Sequence, residues 1–425
     1  MNFRNLIIIH LVIAVFVQLS PFFTTIHALI TFSLGLFWAL TDKNSYRPVL
    51  IIFYLTGAEL LWRGFGASLF WEFGKYSTSI IMMILIYRYG LNRINNKYGF
   101  YFILLLLPSF IVLDQFLRQD IAHAIAGPIS LGLAITTFSN QNIFIDKLKI
   151  YLQALILPII SLFILMLYST IEHGQIDIYA AYVKEFTTAG IGPNQASNIL
   201  GLGVFICFLL YFLDLSKRRY YFIIGFLMLI QTVITHSRGG FWNVLIASFI
   251  AGVFLISVRK NRFNYVFSGL IFSWILYFFI FPKIDDYAGG SLSNRYTDTD
   301  LSQRGLIMIT ELDAFNKNPL FGIGPGASRK YRLQHFNSPK HTHTEYTRLL
   351  AEHGIFGIIY IFLFVIMIFK IFKQNYGLSR SISLSLATWS LLFMFHSATR
   401  LAAPSIIFGF ASAKYNLKPE DEIKH

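Results

Sequence analysis

Apolar runs of about 20 residues follow one another through most of the chain, separated by short polar connections. A transmembrane helix needs about 20 such residues, with roughly 17–25 tolerated. Apolar residues make up 55% of the 425 and charged residues only 13%, whereas a soluble domain carries about 25% charged residues. A single water-soluble core could not bury this much apolar surface. The sequence therefore predicts an integral membrane protein.

Candidate spans are distributed along the whole sequence and give about 12, and up to 14, transmembrane helices. They cover 5–20, 23–41, 48–62, 70–87, 100–117, 122–139, 149–168, 195–213, 220–235, 241–257, 264–282, 353–372 and 381–398, with a short one at 403–414. No small-residue cleavage site follows the first run, which is interpreted as a retained helix. The predicted fold class is an all-α polytopic membrane protein.

Basic residues are concentrated in alternate connections, and this predicts the orientation. The rich connections hold Lys43 and Arg47; Arg88, Arg93 and Lys97; Lys147 and Lys149; Lys217, Arg218 and Arg219; Arg259, Lys260 and Arg262; and Lys370, Lys373 and Arg380. The other connections hold few, namely Arg63, Arg118, Lys184 and Arg238. The positive-inside rule places the rich set and the N-terminus in the cytoplasm. The same rule accounts for the net charge of +14. We therefore expect the basic residues to face a lipid bilayer and not to bind nucleic acid.

Two longer polar segments then fall outside the cytoplasm, at about 169–192 and 282–352. Long loops in compact proteins are usually functional. The chain divides into N-terminal helices (1–168), central helices with the first external loop (169–282), a large external loop (283–352) and C-terminal helices with a cytoplasmic tail (353–425). The single cysteine, Cys207, excludes an intrachain disulfide and a cysteine-rich metal site.

An arginine stands at a helix junction in Ser237-Arg238-Gly239-Gly240. The small residues would bring backbone close and leave room for a bulky anion, and a planar guanidinium pairs bidentately with phosphate. The alternative is a helix end whose arginine reaches the membrane interface. Arg400 stands at another outer helix end with the same two interpretations.

The large external loop carries a second arginine and a glycine-rich run. Ser302-Gln303-Arg304-Gly305 precedes an amphipathic stretch, and Asn318–Gly326 follows it. The apolar members of that stretch, at helical spacing, are Leu306, Ile309, Leu312 and Phe315. The functional interpretation makes Arg304 a second guanidinium and the glycine turns a cradle of backbone N–H groups. The alternative is a surface helix lying against the membrane, followed by turns.

Two histidines and a glutamate alternate just before a predicted helix, at His341, His343 and Glu345. A histidine with a near-neutral pKa is suited to take a proton from a sugar hydroxyl. The alternation leaves metal binding open as an alternative. Asp298-Thr299-Asp300 resembles the acidic pair that holds a divalent ion in nucleotide-sugar transferases, although this pattern is common by chance.

Carboxylates also occur in or near apolar runs, at Glu59, Glu72 and Asp114. A charge at the bilayer centre costs roughly 2.5–3.5 kcal/mol on insertion scales. Such residues therefore sit near helix ends or line a cavity.

The order of these motifs resembles the O-antigen ligase and polymerase superfamily. Ser237–Gly240 comes first, then Arg304 before Asn318–Gly326, then His343-Thr344-Glu345 before Leu349–Gly354, with Gly192-Pro193-Asn194 upstream. The resemblance covers about residues 190–400. It implies a GT-C-like fold of about twelve helices with one large periplasmic loop. It also implies a donor glycan on undecaprenyl pyrophosphate, with no metal and no cofactor.

The resemblance also implies roles for single residues. His343 would be the general base, and Arg238 and Arg304 would bind the donor pyrophosphate, with Arg400 as a further candidate. His341 and Glu345 are additional substrate-binding candidates. Thr344 stands where members of the superfamily often carry asparagine.

Three functions remain open. A ligase would join the lipid-linked glycan to a lipid A-core acceptor, and a polymerase would join it to a second lipid-linked glycan. The close pair His341 and His343, followed by Glu345, favours the ligase. A transporter or flippase should show mid-span charges and paired Gly/Pro-broken helices, whereas here the polar residues gather in one external loop. The predicted location is the bacterial inner membrane, with the site on the periplasmic side.

Overall fold

The computed structural model describes residues 3–89, 97–112, 118–139, 141–173, 183–258, 282–283, 286, 303–338, 342–397 and 399–416. The first helices and strand are α1 (Phe3–Leu19), α2 (Pro21–Thr41), α3 (Tyr46–Gly64), α4 (Phe73–Tyr89), α5 (Tyr98–Leu104), α6 (Arg118–Phe138), β1 (Asn142–Phe144), α7 (Ile145–His173) and α8 (Val183–Phe186). The remaining ones are α9 (Pro193–Leu213), α10 (Arg218–Ile234), α11 (Arg238–Val258), α12 (Gln303–Lys317), α13 (Ser328–Phe336), α14 (Glu345–His353), α15 (Ile355–Gln374), α16 (Gly377–Ser397), α17 (Ala402–Ala411) and β2 (Lys414–Asn416). Short 3-10 helices cover Pro108–Val112 and Leu215–Lys217.

Six helices in this part of the chain are long and apolar enough to cross a membrane. They are Pro21–Thr41, Gln119–Phe138, Ile145–Glu172, Pro193–Leu213, Ile355–Gln374 and Gly377–His396. Shorter apolar helices are Phe3–Leu19, Tyr98–Val112, Arg238–Val253 and Ala402–Ala411. The prediction of a multi-pass helical membrane protein is confirmed at this level, and the count of about 12 to 14 spans stays a prediction. The expected span 264–282 lies outside the described residues, and the short one at 403–414 corresponds to the buried ten-residue helix α17.

Burial separates helices of the bundle interior from helices at its surface. On α7, Leu152, Leu155 and Leu162 are fully buried. On α1, α2 and α15, by contrast, large apolar side chains such as Val15, Ile30 and Phe362 are well exposed. Exposing these apolar side chains to water costs free energy. Exposing them to the apolar interior of a lipid bilayer does not.

One end of the bundle collects the connections that the sequence predicts to be cytoplasmic. Strand β1 pairs in parallel with β2, with Asn142 opposite Lys414. Aromatic contacts join Phe3 to Tyr221 at 5.2 Å and Tyr46 to Tyr151 at 5.7 Å, measured between ring centroids. The basic connections next to these elements therefore lie at the same end of the bundle, as predicted from the alternation of basic-rich and basic-poor connections.

Candidate active site

His343 lies on an extended segment that leads into helix α14 and is half-buried between buried threonines. Thr344 is the N-cap of that helix, since its backbone is extended and its Oγ1 accepts a hydrogen bond from the N–H of Tyr346 at 3.3 Å. Threonine suits this position because its oxygen satisfies one of the free N–H groups at a helix start. The cap fixes where α14 begins and so holds His343 just outside the helix.

Two charged residues of the 283–352 segment hold Thr342 and Thr347, which lie before and after His343. Glu311 on α12 and Arg332 on α13 are each 1% exposed, and Arg332 Nη1 donates to Glu311 Oε1 at 2.6 Å. Thr342 Oγ1 donates to the same oxygen at 2.6 Å, and Thr347 Oγ1 donates to the other at 2.5 Å. Burial raises the pKa of the Glu311 carboxyl, and the Arg332 guanidinium opposes this shift. The pair thereby fastens α12 and α13 to the segment that carries the histidine.

Arg304 lies in the first turn of α12, the helix that Glu311 fastens in place. Its side chain, His341 and the Asp298–Asp300 motif lie outside the described residues. Within the described ranges, no group of three or more His, Cys, Asp or Glu side chains could hold a metal ion. The metal alternative that involves His341 stays untested.

Glu345 is buried at the start of α14, and both of its carboxylate oxygens are engaged. Arg348 donates to one oxygen, and the N–H of Thr399 donates to the other at 3.1 Å. Arg348 also donates to Glu352 Oε2 at 3.1 Å and to the carbonyl of Ala124 at 2.9 Å. Substrate binding by Glu345 stays a prediction, but these contacts favour a role in holding the chain near Thr399.

Arg400 reaches the segment that carries the candidate base. Its half-buried guanidinium donates through Nη2 to the carbonyl of Thr342, the residue immediately before His343. Its own carbonyl accepts a hydrogen bond from Arg63 Nη1 at 2.8 Å. The structure thus brings a predicted cation and the predicted base together, although they are far apart in sequence.

Arg238 is the first residue of α11 and is half-buried. The turn before it contains His236 in the left-handed region, with φ of 55°, a conformation uncommon for residues other than glycine. Ser237 Oγ donates to Asn194 Oδ1 at 2.9 Å, and Ser197 Oγ donates to the carbonyl of Ser237 at 2.9 Å. The Arg238 turn is therefore fixed against the start of α9, which explains why the Gly-Pro-Asn segment and the arginine motif occur together.

The two glycines after Arg238 serve helix packing. A Cβ at Gly240 would overlap the carbonyl oxygen of Ser197, and one at Gly239 would lie 3.1 Å from the His396 ring. The interpretation that these glycines leave room for a bulky anion is wrong, because neighbouring helices fill that space. Since His396 lies near the end of α16, just before Arg400, the same packing puts Arg238 and Arg400 at one end of the bundle.

The glycine-rich run of the loop also has a structural role. The N–H of Ile323 donates to the carbonyl of Ala351 at 2.9 Å, and the N–H of Gly324 donates to that of Glu352 at 3.2 Å. Gly322 has φ of 70°, which glycine adopts without strain. The interpretation as an anion cradle is wrong for these N–H groups, which cap the end of α14. The glycine run and the Leu349–Gly354 motif are therefore joined by backbone hydrogen bonds.

Residues 223–362 match a protein-family model described as O-antigen ligase. This segment is similar to the O-antigen ligase family over about a third of the chain. It contains the residues expected to bind and activate the substrates, Arg238, Arg304 and His343, while Arg400 lies beyond its end. A search of curated proteins finds no match to the chain. The superfamily resemblance seen in the motifs is confirmed, and with it a broadly O-antigen ligase-like function.

The sequence patterns assign no role to several charged residues that hold the candidate site together. Arg348 and the helix pair Glu59–Arg63 had a local signal, since opposite charges three or four residues apart on a helix face each other. Glu72 and Lys75 have the same spacing, with Glu72 just before the start of α4. Glu311 and Arg332 had no local signal, because 21 residues separate the partners.

Proposed function

We propose that the protein transfers a glycan from undecaprenyl pyrophosphate to an acceptor sugar on the periplasmic face of the inner membrane. The acceptor in this proposal is a lipid A-core, as for a ligase. The observation that carries the proposal is the bond from the Arg400 guanidinium to the carbonyl of Thr342, beside His343, in a chain with an O-antigen ligase segment.

His343 acts as general base in this proposal. The acceptor hydroxyl must lose its proton as its oxygen attacks C1 of the donor sugar, and a base in that position contributes about 10²–10⁴-fold. The half-buried side chain at a helix N-terminus is held in place yet open enough for a sugar to approach. Direct displacement inverts the anomeric centre.

Arg238, Arg304 and Arg400 bind the donor pyrophosphate in this proposal. The sugar–phosphate bond breaks as the glycosidic bond forms, and negative charge develops on the leaving pyrophosphate. Guanidinium groups keep their charge at any working pH and pair bidentately with phosphate oxygens. Arginines held in advance therefore stabilise that charge without a metal ion.

Purified protein with a defined lipid-linked glycan tests the proposal. We expect His343→Ala and Arg304→Ala each to lower transfer by about 10²-fold or more. The matched controls are His335→Ala and Arg329→Ala, because both residues are exposed on α13 of the same loop; these variants should transfer normally. Full activity in both His343→Ala and Arg304→Ala would refute the site.

Deletion of the gene distinguishes the acceptors. Loss of a ligase leaves long polymer on the lipid carrier, whereas loss of a polymerase leaves single repeats on the core. Wild-type protein that moves substrate across vesicles without forming a glycosidic bond would instead identify a transporter and refute the enzyme class.

A further inference from the structure

The turn that carries Arg400 is held by four charged side chains from three helices, α3, α4 and α14. This 399–402 turn joins α16 to the fully buried helix α17. Inside a membrane protein, backbone that is not helical needs a hydrogen-bond partner for each N–H and C=O group. Four of its backbone groups have charged partners.

Two cations and two carboxylates grip the turn. Lys75 Nζ donates to the carbonyl of Thr399 at 3.0 Å, and Arg63 Nη1 donates to that of Arg400 at 2.8 Å. The N–H of Ala402 donates to Glu59 Oε2 at 2.6 Å. The N–H of Thr399 donates to Glu345 Oε2 at 3.1 Å.

Three of these partners belong to a charge cluster on α3, α4 and the turn between them, which we define as Glu59, Arg63, Glu72 and Lys75. Arg63 Nη2 contacts Glu59 and lies 3.1 Å from Glu72 Oε2, and Lys75 pairs with Glu72. The four side chains are between 1% and 6% exposed. Two positive and two negative charges balance, which a buried cluster requires.

The packing around the cluster leaves it little freedom to move. A Cβ at Gly74 would lie 2.5 Å from Glu59 Cγ, so the glycine permits α4 to approach α3. The Arg63 guanidinium also lies 5.1 Å from the centroid of the Trp71 ring. Charge-assisted hydrogen bonds are roughly twice as strong as neutral ones, so this arrangement holds the turn in one conformation.

We propose that Arg63 and Lys75 are positioning residues for glycan transfer, which fix the 399–402 turn so that the Arg400 guanidinium stays beside His343. This inference rests on the proposed function. Both residues lie in the N-terminal half of the chain, before the segment that matches the family model. The N-terminal helices thus complete the site and do more than anchor it in the membrane.

A double-mutant cycle between Arg63 and Arg400 tests this inference. Arg63→Lys keeps the charge but loses the planar guanidinium. That group donates to the Arg400 carbonyl and pairs with the Glu59 and Glu72 carboxylates. A misplacement of about 1 Å costs about 10²-fold in rate, so we expect kcat to fall by about 10- to 100-fold. If Arg63 acts through Arg400, Arg63→Lys adds almost nothing in an Arg400→Ala background.

The readouts and controls keep the outcomes distinct. Lys75→Met goes through the same cycle, and only monodisperse protein is compared. Tyr221→Phe is the control, since it perturbs a buried polar cluster with Asp214 and Gln153 at the opposite end of the bundle; its kcat should not change. The cycle is measured both as kcat of transfer and as Kd for undecaprenyl pyrophosphate.

Additive losses in both readouts, or an unchanged kcat in Arg63→Lys and Lys75→Met, would overturn the positioning role. If wild-type protein binds the carrier but forms no glycosidic bond, the proposed function fails, while the Kd cycle still decides the positioning role. If wild-type protein neither binds the carrier nor transfers, both fail.

Discussion

At the residue scale, Thr344 stands where the resemblance to the superfamily leads us to expect asparagine, and it caps α14. Threonine and asparagine both serve as N-caps, because each offers a side-chain oxygen to a free N–H. The cap of α14 therefore survives the exchange.

We predict that Thr344→Asn keeps most of the stability and transfer activity, whereas Thr344→Ala costs about 1 kcal/mol and lowers the Tm. Thermal unfolding in detergent, with transfer measured on the same samples, checks this. Equal damage from both substitutions would contradict the capping role.

His353 provides a second test at this scale. Its Nδ1 lies 2.7 Å from Ser109 Oγ, and burial, with the nearby Arg348, lowers its pKa to about 3. The folded protein therefore keeps this histidine neutral, while the unfolded chain takes up a proton near the usual pKa of about 6.5. Stability from this residue is complete above that value and is lost as the pH falls toward 3.

We predict that the Tm of the wild-type protein falls between pH 7 and pH 4 and that His353→Asn reduces the slope of this fall. Thermal unfolding across that range measures both slopes. The remaining slope of the variant reports the other titrating groups. An identical slope in both proteins would show that His353 does not contribute.

At the element scale, helix starts and close helix packing build the site. Gly240 lets α11 touch α9. On the same helix, a Cβ at Gly252 would meet no atom of the described residues within 4 Å. The two glycines therefore form a matched pair with opposite expectations.

We predict that Gly240→Ala destabilises the protein by about 1–3 kcal/mol, because it overpacks the contact with α9, and that it also lowers transfer. Gly252→Ala should be neutral or stabilise by up to about 1 kcal/mol, since alanine favours helix. The Tm and kcat of both variants decide the matter, and the reverse order would refute the packing argument.

Helix α12 carries its apolar stripe outward. Leu306, Ile309 and Leu312 are 41%, 61% and 40% exposed, whereas Ile307 and Glu311 are buried. The segment just beyond the end of α12 contacts the start of α15, because the N–H of Ile355 donates to the carbonyl of Pro319. These contacts favour the interpretation of a helix that lies against lipid.

We predict that a cysteine in place of Ile309 reacts more slowly with a water-soluble maleimide in nanodiscs than in unfolded protein, because lipid covers it. Gln334→Cys, at an exposed position of α13, is the control and should react rapidly in nanodiscs. Equal labelling rates at the two positions in nanodiscs would contradict the interpretation that α12 lies against lipid.

At the scale of the whole molecule, local patterns predicted the helices well. Most expected spans coincide with helices such as α2, α7 and α15, because apolar length is a local property. The contacts that assemble the site were not predictable in this way. Arg63 and Arg400 are 337 residues apart, and no periodicity reports a contact over that distance. The roles of the glycines were missed because the close approach of a neighbouring helix cannot be seen in a single sequence.

We propose that Arg238 and His343 act together on the non-cytoplasmic face, and cysteine labelling tests this placement most directly. Cys207 is buried, so Cys207→Ser gives a clean background for Arg238→Cys, His343→Cys and, at the basic end, Arg47→Cys. A membrane-impermeant thiol reagent is added to cells whose inner membrane is intact. We expect the cysteines at positions 238 and 343 to be labelled and the one at position 47 not to be. Labelling of positions 238 and 343 from opposite sides, or of both only from the cytoplasm, would contradict the account.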